Sequence, residues 1–175
     1  MIDYKAAIGY LYLVRERIRK VDHQELFEYY LPKVKTTDDA ITEWEEHNDL
    51  KLPDSYKEFL LSANGWKYVN QDRDLFSLED LTLSKESKYI QMRDSSAASL
   101  NDVGDKNLLM PVGASQYSDD IYLMVLDKNS ESYGQVIWAA DEEIERYKDF
   151  EEFFLFLIVY NKHFYTSLTG MEYID

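Results

Sequence analysis

Apolar positions recur every three or four residues up to residue 63, shift to short runs of strand length, and return to helical spacing after residue 149. Over residues 3–20, Tyr4, Ile8, Leu11, Tyr12, Arg15 and Ile18 fall near one face and predict an amphipathic helix. Arg17, Arg19 and Lys20 crowd its end, where positive charge suits the helix dipole. Leu26, Tyr29 and Tyr30 share helical spacing, so a second short helix is expected over 25–31, ended by Pro32. The cluster Thr36, Thr37, Asp38, Asp39 offers an N-cap for a third helix, with Ile41, Trp44 and Asn48 on its buried stripe.

The clearest pattern runs from Leu52 to Trp66. Pro53 suits a first helical position, where its missing N–H is no loss, and Asn64-Gly65 suits the left-handed residue that stops a helix. Between them Tyr56, Phe59, Leu60 and Ala63 form one apolar stripe, while Asp54, Lys57, Glu58 and Ser62 face water. Segments 66–69, 75–78, 108–112, 121–126 and 134–140 have the length and residue types of strands, and the polar stretch 129–134 predicts a hairpin loop between the last two. Residues 85–107 are polar and poorly periodic, so they read as an insertion or mobile loop, with one helical turn at Tyr89, Ile90 and Met92. Asp149 caps a closing helix carrying Phe150, Phe153, Phe154, Leu157, Ile158 and Asn161. Leu155, Phe156 and Val159 fill its other side, which predicts burial on both faces. Together these elements predict an α+β fold: a single, mostly antiparallel sheet flanked by helices, with an extra N-terminal helical arm.

The series Leu52, Pro53, Tyr56, Phe59, Leu60, Asn64, Gly65 resembles the opening of the SUKH superfamily of Smi/Knr-like domains. Met110-Pro111-Val112-Gly113 looks like the family's approach to a strand. Asp119-Asp120 with residues 121–127 looks like its next strand, and residues 134–138 like the one after. Phe150, Phe153, Phe154 and Leu157 look like its closing helix. The resemblance covers residues 37–169 and implies a SUKH-like α+β domain over 37–175, preceded by an N-terminal helical extension over 1–36. It also implies a non-catalytic bacterial immunity protein that binds a cognate polymorphic toxin domain, such as a nuclease or deaminase, and blocks its active site. Fungal relatives linked to cell-wall signalling imply the alternative, a regulatory or scaffold interaction module without a toxin partner.

Charge sharpens the partner question. The 175 residues carry a formal net charge of −15, and the first 36 hold seven basic against five acidic side chains, leaving −17 for the rest. Such a field repels nucleic acid and anionic membranes and steers a basic protein toward the surface. The absence of cysteine removes disulfides and thiolate metal sites, and the opening Met-Ile-Asp-Tyr-Lys lacks the build of a signal peptide, so a cytoplasmic location is expected. The longest apolar run, 153–160, is far short of the roughly 20 residues that span a bilayer.

Catalytic and cofactor signatures are weak. His23, His47 and His163 stand apart without metal-ligand spacing, Gly104 and Gly113 lack a phosphate-cradling context, and no nucleophile elbow occurs. No cofactor, metal or catalytic residue is therefore assigned. A carboxylate-based hydrolase would require the acidic clusters Asp119-Asp120 and Asp141-Glu142-Glu143 to converge in one pocket. Fifteen tyrosines and three tryptophans are interface-prone types. Trp44, Tyr56 and Trp138 lie on buried stripes and read as core, whereas Trp66, Tyr68, Tyr117 and Tyr133 lie at turns or element ends and are candidate contacts. Around them Asp72, Asp74, Asp119, Asp120, Asp141 and Glu142 are expected to form an acidic rim that receives the toxin.

Overall fold

The computed structural model describes residues 2–83 and 85–175. Helix α1, Tyr4–Val21, starts at Asp3, whose carboxylate accepts from Lys5 N at 3.0 Å and Ala6 N at 3.2 Å. It buries Tyr4, Ile8, Leu11, Val14, Arg15 and Ile18 along the expected face. The short helix expected over 25–31 does not form, and residues 22–37 cross the surface as an irregular arm. Side chains hold the groups a helix would need. The Asp22 carboxylate takes Leu26 N and the Tyr29 hydroxyl, Trp66 Nε1 donates to Tyr30 O at 2.8 Å, and Arg15 reaches Glu28 O.

Helix α2, Asp38–Asn48, is capped by the Thr37 hydroxyl, which accepts from Ala40 N at 3.2 Å. Its buried face differs from the expected one. Ile41 and Glu45 point inward, Trp44 is half-buried and Asn48 is exposed. Glu45 turns in because its carboxylate accepts from Leu52 N at 2.9 Å and from Lys51 Nζ at 2.6 Å, joining α2 to the next helix. That helix, α3 (Asp54–Leu60), follows Pro53 as cap and buries Tyr56, Phe59 and Leu60. Gly65 then turns the chain at φ +86° into the sheet.

Six strands pair in sequence order as an antiparallel meander: β1 Trp66–Asn70, β2 Arg73–Leu75, β3 Leu109–Ser115, β4 Ile121–Val125, β5 Val136–Ala140 and β6 Glu142–Tyr147. Four coincide broadly with predicted segments; β2 shares only Leu75 with the strand expected over 75–78, because Ser77 instead caps a short 3-10 turn that starts at Leu78. The sixth is an edge strand whose first four residues are exposed, so its charged sequence has no apolar alternation to betray it. The region expected as a loop contains α4, Lys88–Ala97, which lies against β3 and β4. Two of its four buried positions are Arg93 and Ser96, and this polar inner face hid its period.

Helix α5, Phe150–Thr169, begins at Asp149, whose carboxylate accepts from Glu152 N at 2.8 Å. Its six expected core residues are buried, but Leu155 and Val159 are 42% and 49% exposed, so it covers the sheet with one face rather than two. Phe153 meets Tyr122 of β4 at 4.8 Å between ring centroids, and Phe150 meets Phe59 of α3 at 4.9 Å. Residues 121–125 are buried on both sides of β4. With α5 against Tyr122 on one face, Ile121, Leu123 and Val125 point to the other, where α4 covers them. Tyr4, Ile8 and Leu11 of α1 share this core with the sheet, Tyr4 touching Phe59 and Phe154.

A Cβ added at Gly65 would sit 2.7 to 2.9 Å from backbone atoms of Ser77, Phe76 and Leu75, in a conformation that already disfavours side chains. Gly65→Ala should therefore cost about 2 kcal/mol or more in chemical denaturation. Gly170→Ala, with φ +68° but nothing within 4 Å of the new carbon, should cost only about 1 kcal/mol.

Candidate functional site

An antiparallel meander brings alternate turns to one end. The β1–β2 turn at residues 71–72, the β3–β4 turn at 116–120 and the β5–β6 turn at Asp141 share that end of the sheet.

The first turn is built around a backbone conformation that bulky residues rarely adopt. Tyr68 has φ +52° and Gln71 φ +54°, and the β1–β2 register shifts between Trp66 and Asn70. Asp74, buried on β2, holds this shape: one carboxylate oxygen accepts from Tyr68 N at 2.7 Å and the other from Gln116 Nε2 at 2.6 Å. The neighbouring Asp72 accepts from the Ser115 hydroxyl, whose oxygen takes Tyr117 N and Ser118 N, each at 2.9 Å. These bonds fix the β3–β4 turn to the β1–β2 turn and leave Tyr117 projecting, 79% exposed. Its hydroxyl lies 3.3 Å from that of Tyr68, and the Tyr68 ring packs 5.7 Å from Tyr30 of the arm. Bonding to Tyr117, burial and nearby carboxylates all push the Tyr68 hydroxyl above its ordinary pKa.

Asp120 has a structural post. It accepts from Trp138 Nε1 and from the Ser118 hydroxyl, both at 2.6 Å, and pairs with Arg73 at 3.3 Å. Arg73 in turn lies over the Trp138 ring at 4.9 Å. Burial alone would raise the Asp120 carboxyl, yet the Ser118 and Trp138 bonds and the Arg73 charge hold it below the usual range. Asp119 beside it is exposed. Asp141, at φ +59°, accepts from the Ser95 hydroxyl at 2.7 Å and so ties α4 to the β5–β6 turn, with Glu142 exposed next to it.

Seven of the ten expected contacts gather at this end with accessible surface: Tyr68, Asp72, Tyr117, Asp119, Asp120, Asp141 and Glu142. Asp74 lies beneath them. Trp66 is a correction, because its ring is wholly buried and anchors the arm through Tyr30 O rather than facing solvent. Tyr133 is half-buried in the β4–β5 loop at the opposite end, donating to Lys51 O at 3.0 Å. Tyr117 separates two grooves. One, of about 440 Å³, is walled by arm residues 25–28 with Tyr68 and Asp72. The other, of about 540 Å³, runs between Asp119, Asp141 and the α4 residues Lys88, Gln91 and Ser95. The contributions of Glu28, Tyr30 and α4 were missed because the arm read as a helix and α4 as a loop.

The acidic side chains are distributed among these turns as braces and exposed groups. Among the described residues, no three or more His, Asp or Glu side chains are grouped so as to hold a metal ion, and no helix is long and apolar enough to cross a membrane.

Comparison with protein-family models matches residues 35–155 to the SMI1 / KNR4 family (SUKH-1). The chain belongs to that family. The matched SUKH-1 span includes α2, α3, the whole sheet, α4 and the first turns of α5, and so contains every turn of the candidate site. Helix α1 and residues 22–34 of the arm precede it. No curated protein sequence matches the chain.

Because the Asp120 carboxyl is depressed, its stabilising effect is complete above the unfolded value of about 4 and is lost as pH falls through the lower folded value. Urea melts of the parent and of Asp120→Asn should differ by about 1–3 kcal/mol above pH 5. That difference should shrink as pH falls below about 4.

Proposed function

We propose that this SUKH-1 chain is a cytoplasmic, non-catalytic immunity protein that binds a cognate basic toxin domain and blocks its active site by occlusion. The observation that carries this reading is the convergence of Tyr68, Tyr117 and the exposed carboxylates on one end of the sheet, in a member of a family whose bacterial representatives are mostly immunity proteins. Exposed aromatic rings supply contact area at low entropic cost. The surrounding carboxylates complement a nuclease or deaminase surface that itself binds a polyanion.

Occlusion requires a rigid surface, and the turns here are cross-braced by Asp74, Asp72 and Asp141 rather than left as open loops. Buried aromatic anchors would carry the affinity, at about 2 kcal/mol or more each, and the acidic rim would set the rate of encounter.

The reading is tested by co-expressing the chain with the C-terminal domain encoded by the adjacent large reading frame. Rescue of growth and co-purification of the two proteins are the expected outcomes. A chain that neither protects nor binds any neighbouring product acts instead as a regulatory or scaffold module. With the toxin domain in hand, Asp119→Lys combined with Glu142→Lys should slow association about tenfold at low salt, and the effect should fade as salt screens it. An unchanged association rate in stopped-flow measurements at low salt would remove these residues from the steering role.

A further inference from the structure

The groove between the arm and the β1–β2 turn combines carboxylates with rings, Leu26 and Phe27 completing its arm wall. Glu25, Glu28 and Asp72 contribute three carboxylates to it, Tyr68 and Tyr117 contribute ring faces, and no basic residue lines it. Tyr30 extends the aromatic wall, its ring 5.7 Å from Tyr68 and its hydroxyl donating to Glu28. Elsewhere the fold fills the same combination with a cation of its own. Arg73 lies over the rings of Trp138 at 4.9 Å and Tyr160 at 5.9 Å with Asp120 at 3.3 Å, and Lys162 lies over those of Tyr10 at 5.4 Å and Tyr173 at 5.2 Å with Asp175 at 2.7 Å. A planar guanidinium suits such places better than an ammonium, because it stacks on a ring with its face while its edge offers two parallel N–H donors to a carboxylate.

We propose that this groove receives an arginine side chain of the partner protein, stacked against Tyr68 and Tyr117 and hydrogen-bonded to Asp72 and Glu28. The proposal rests on the reading of this sheet end as a partner surface and names the side chain that it recognises. Charge complementarity favours the occupant twice, through the groove's own carboxylates and through the −15 net charge of the chain. Rigidity favours it too. The Tyr68 backbone is pinned by Asp74 and the Tyr117 backbone by the Ser115 hydroxyl, so the segments that present the two rings need no ordering when a ligand arrives.

The test uses the full chain, isotope-labelled for NMR, titrated with the blocked tripeptide glycyl-arginyl-glycine amide and with its lysine and citrulline analogues. The arginine peptide should give saturable shifts centred on Tyr30, Tyr68 and Tyr117. The lysine peptide should bind at least threefold more weakly, and the citrulline peptide should leave these signals unmoved. Tyr117→Ala removes an exposed ring and Glu28→Gln an exposed charge without touching the core, and each should weaken the arginine peptide at least fivefold. Glu131→Gln, in the exposed β4–β5 loop at the other end of the sheet, should leave it unchanged. Shifts spread over the acidic surface without preference for these tyrosines, equal binding of lysine and arginine, or full binding by Tyr117→Ala would each overturn the proposal. Its failure is distinct from that of the immunity reading. Loss of peptide binding with growth protection intact sinks the arginine receptor alone, whereas peptide binding without protection by any neighbouring gene product sinks the toxin and keeps the receptor.

Discussion

The fold hangs on the phenylalanine face of α5. Within two turns, Phe150 reaches Tyr56 and Phe59 of α3, Phe153 reaches Tyr122 of β4 and Tyr147 of β6, and Phe154 reaches Tyr4 of α1. One short stretch of helix thus touches four other elements, all through rings with little or no exposure. Truncating one such ring in a packed core costs about 3–5 kcal/mol, against a total stability of about 5–15 kcal/mol for a typical domain. The surplus held there is what allows the far end of the sheet to keep an aromatic residue at positive φ and a set of exposed like charges. Each of those features costs stability locally and is carried by packing elsewhere.

Arg15 connects that core to the groove between the arm and the β1–β2 turn. Its guanidinium is buried, and burial pushes its pKa down to about 10, opposed by Tyr29 and Glu16, so it stays charged near neutrality. It is received by Val69 O at 3.0 Å, by Asn161 Oδ1 of α5 at 3.3 Å and by Glu28 O of the arm at 3.4 Å, and it lies 5.1 Å from the Tyr29 ring. Carbonyl and amide dipoles rather than a carboxylate solvate it, which costs desolvation but fixes direction. Val69 directly follows the strained Tyr68, and Glu28 walls the groove. A single side chain on α1 therefore sets both walls at once, and the N-terminal helix contributes to the surface without touching it.

Where the sequence was legible, one physical signal sufficed. Pro53, the Tyr56–Phe59–Leu60 stripe and Gly65 specify a start, a face and a stop within one segment, and β4 is so apolar that no other element fits it. Where it was not legible, two signals competed. Leu26, Tyr29 and Tyr30 have helical spacing, but Asp22, Arg15 and Trp66 claim the surrounding backbone groups from a distance that a local pattern does not contain. Helix α4 hides behind Arg93 and Ser96 on its inner face, and β6 behind a run of glutamates at a sheet edge. For the candidate site, residue type and turn position pointed to Tyr68, Tyr117, Asp72 and Asp141. Only the meander could show that these distant turns share an end, that Trp66 lies beneath it and that Tyr133 lies at the other.

The acidic character of the chain divides by geometry into two jobs. Asp22, Glu45, Asp74, Asp120 and Asp127 each receive two or more donors from other residues, so their charges are absorbed by caps and braces and project little field outward. Asp119 and Glu142 are exposed at the sheet end and edge, and their field reaches about a Debye length into solvent. Rings, by contrast, act only on contact. On the proposed binding surface, long-range attraction and short-range grip would therefore fall to different residues only a few positions apart, Asp119 and Tyr117 on the same turn. A surface arranged in this way can gain encounter rate by adding charge at its rim without disturbing the aromatic wall that determines how long a partner stays.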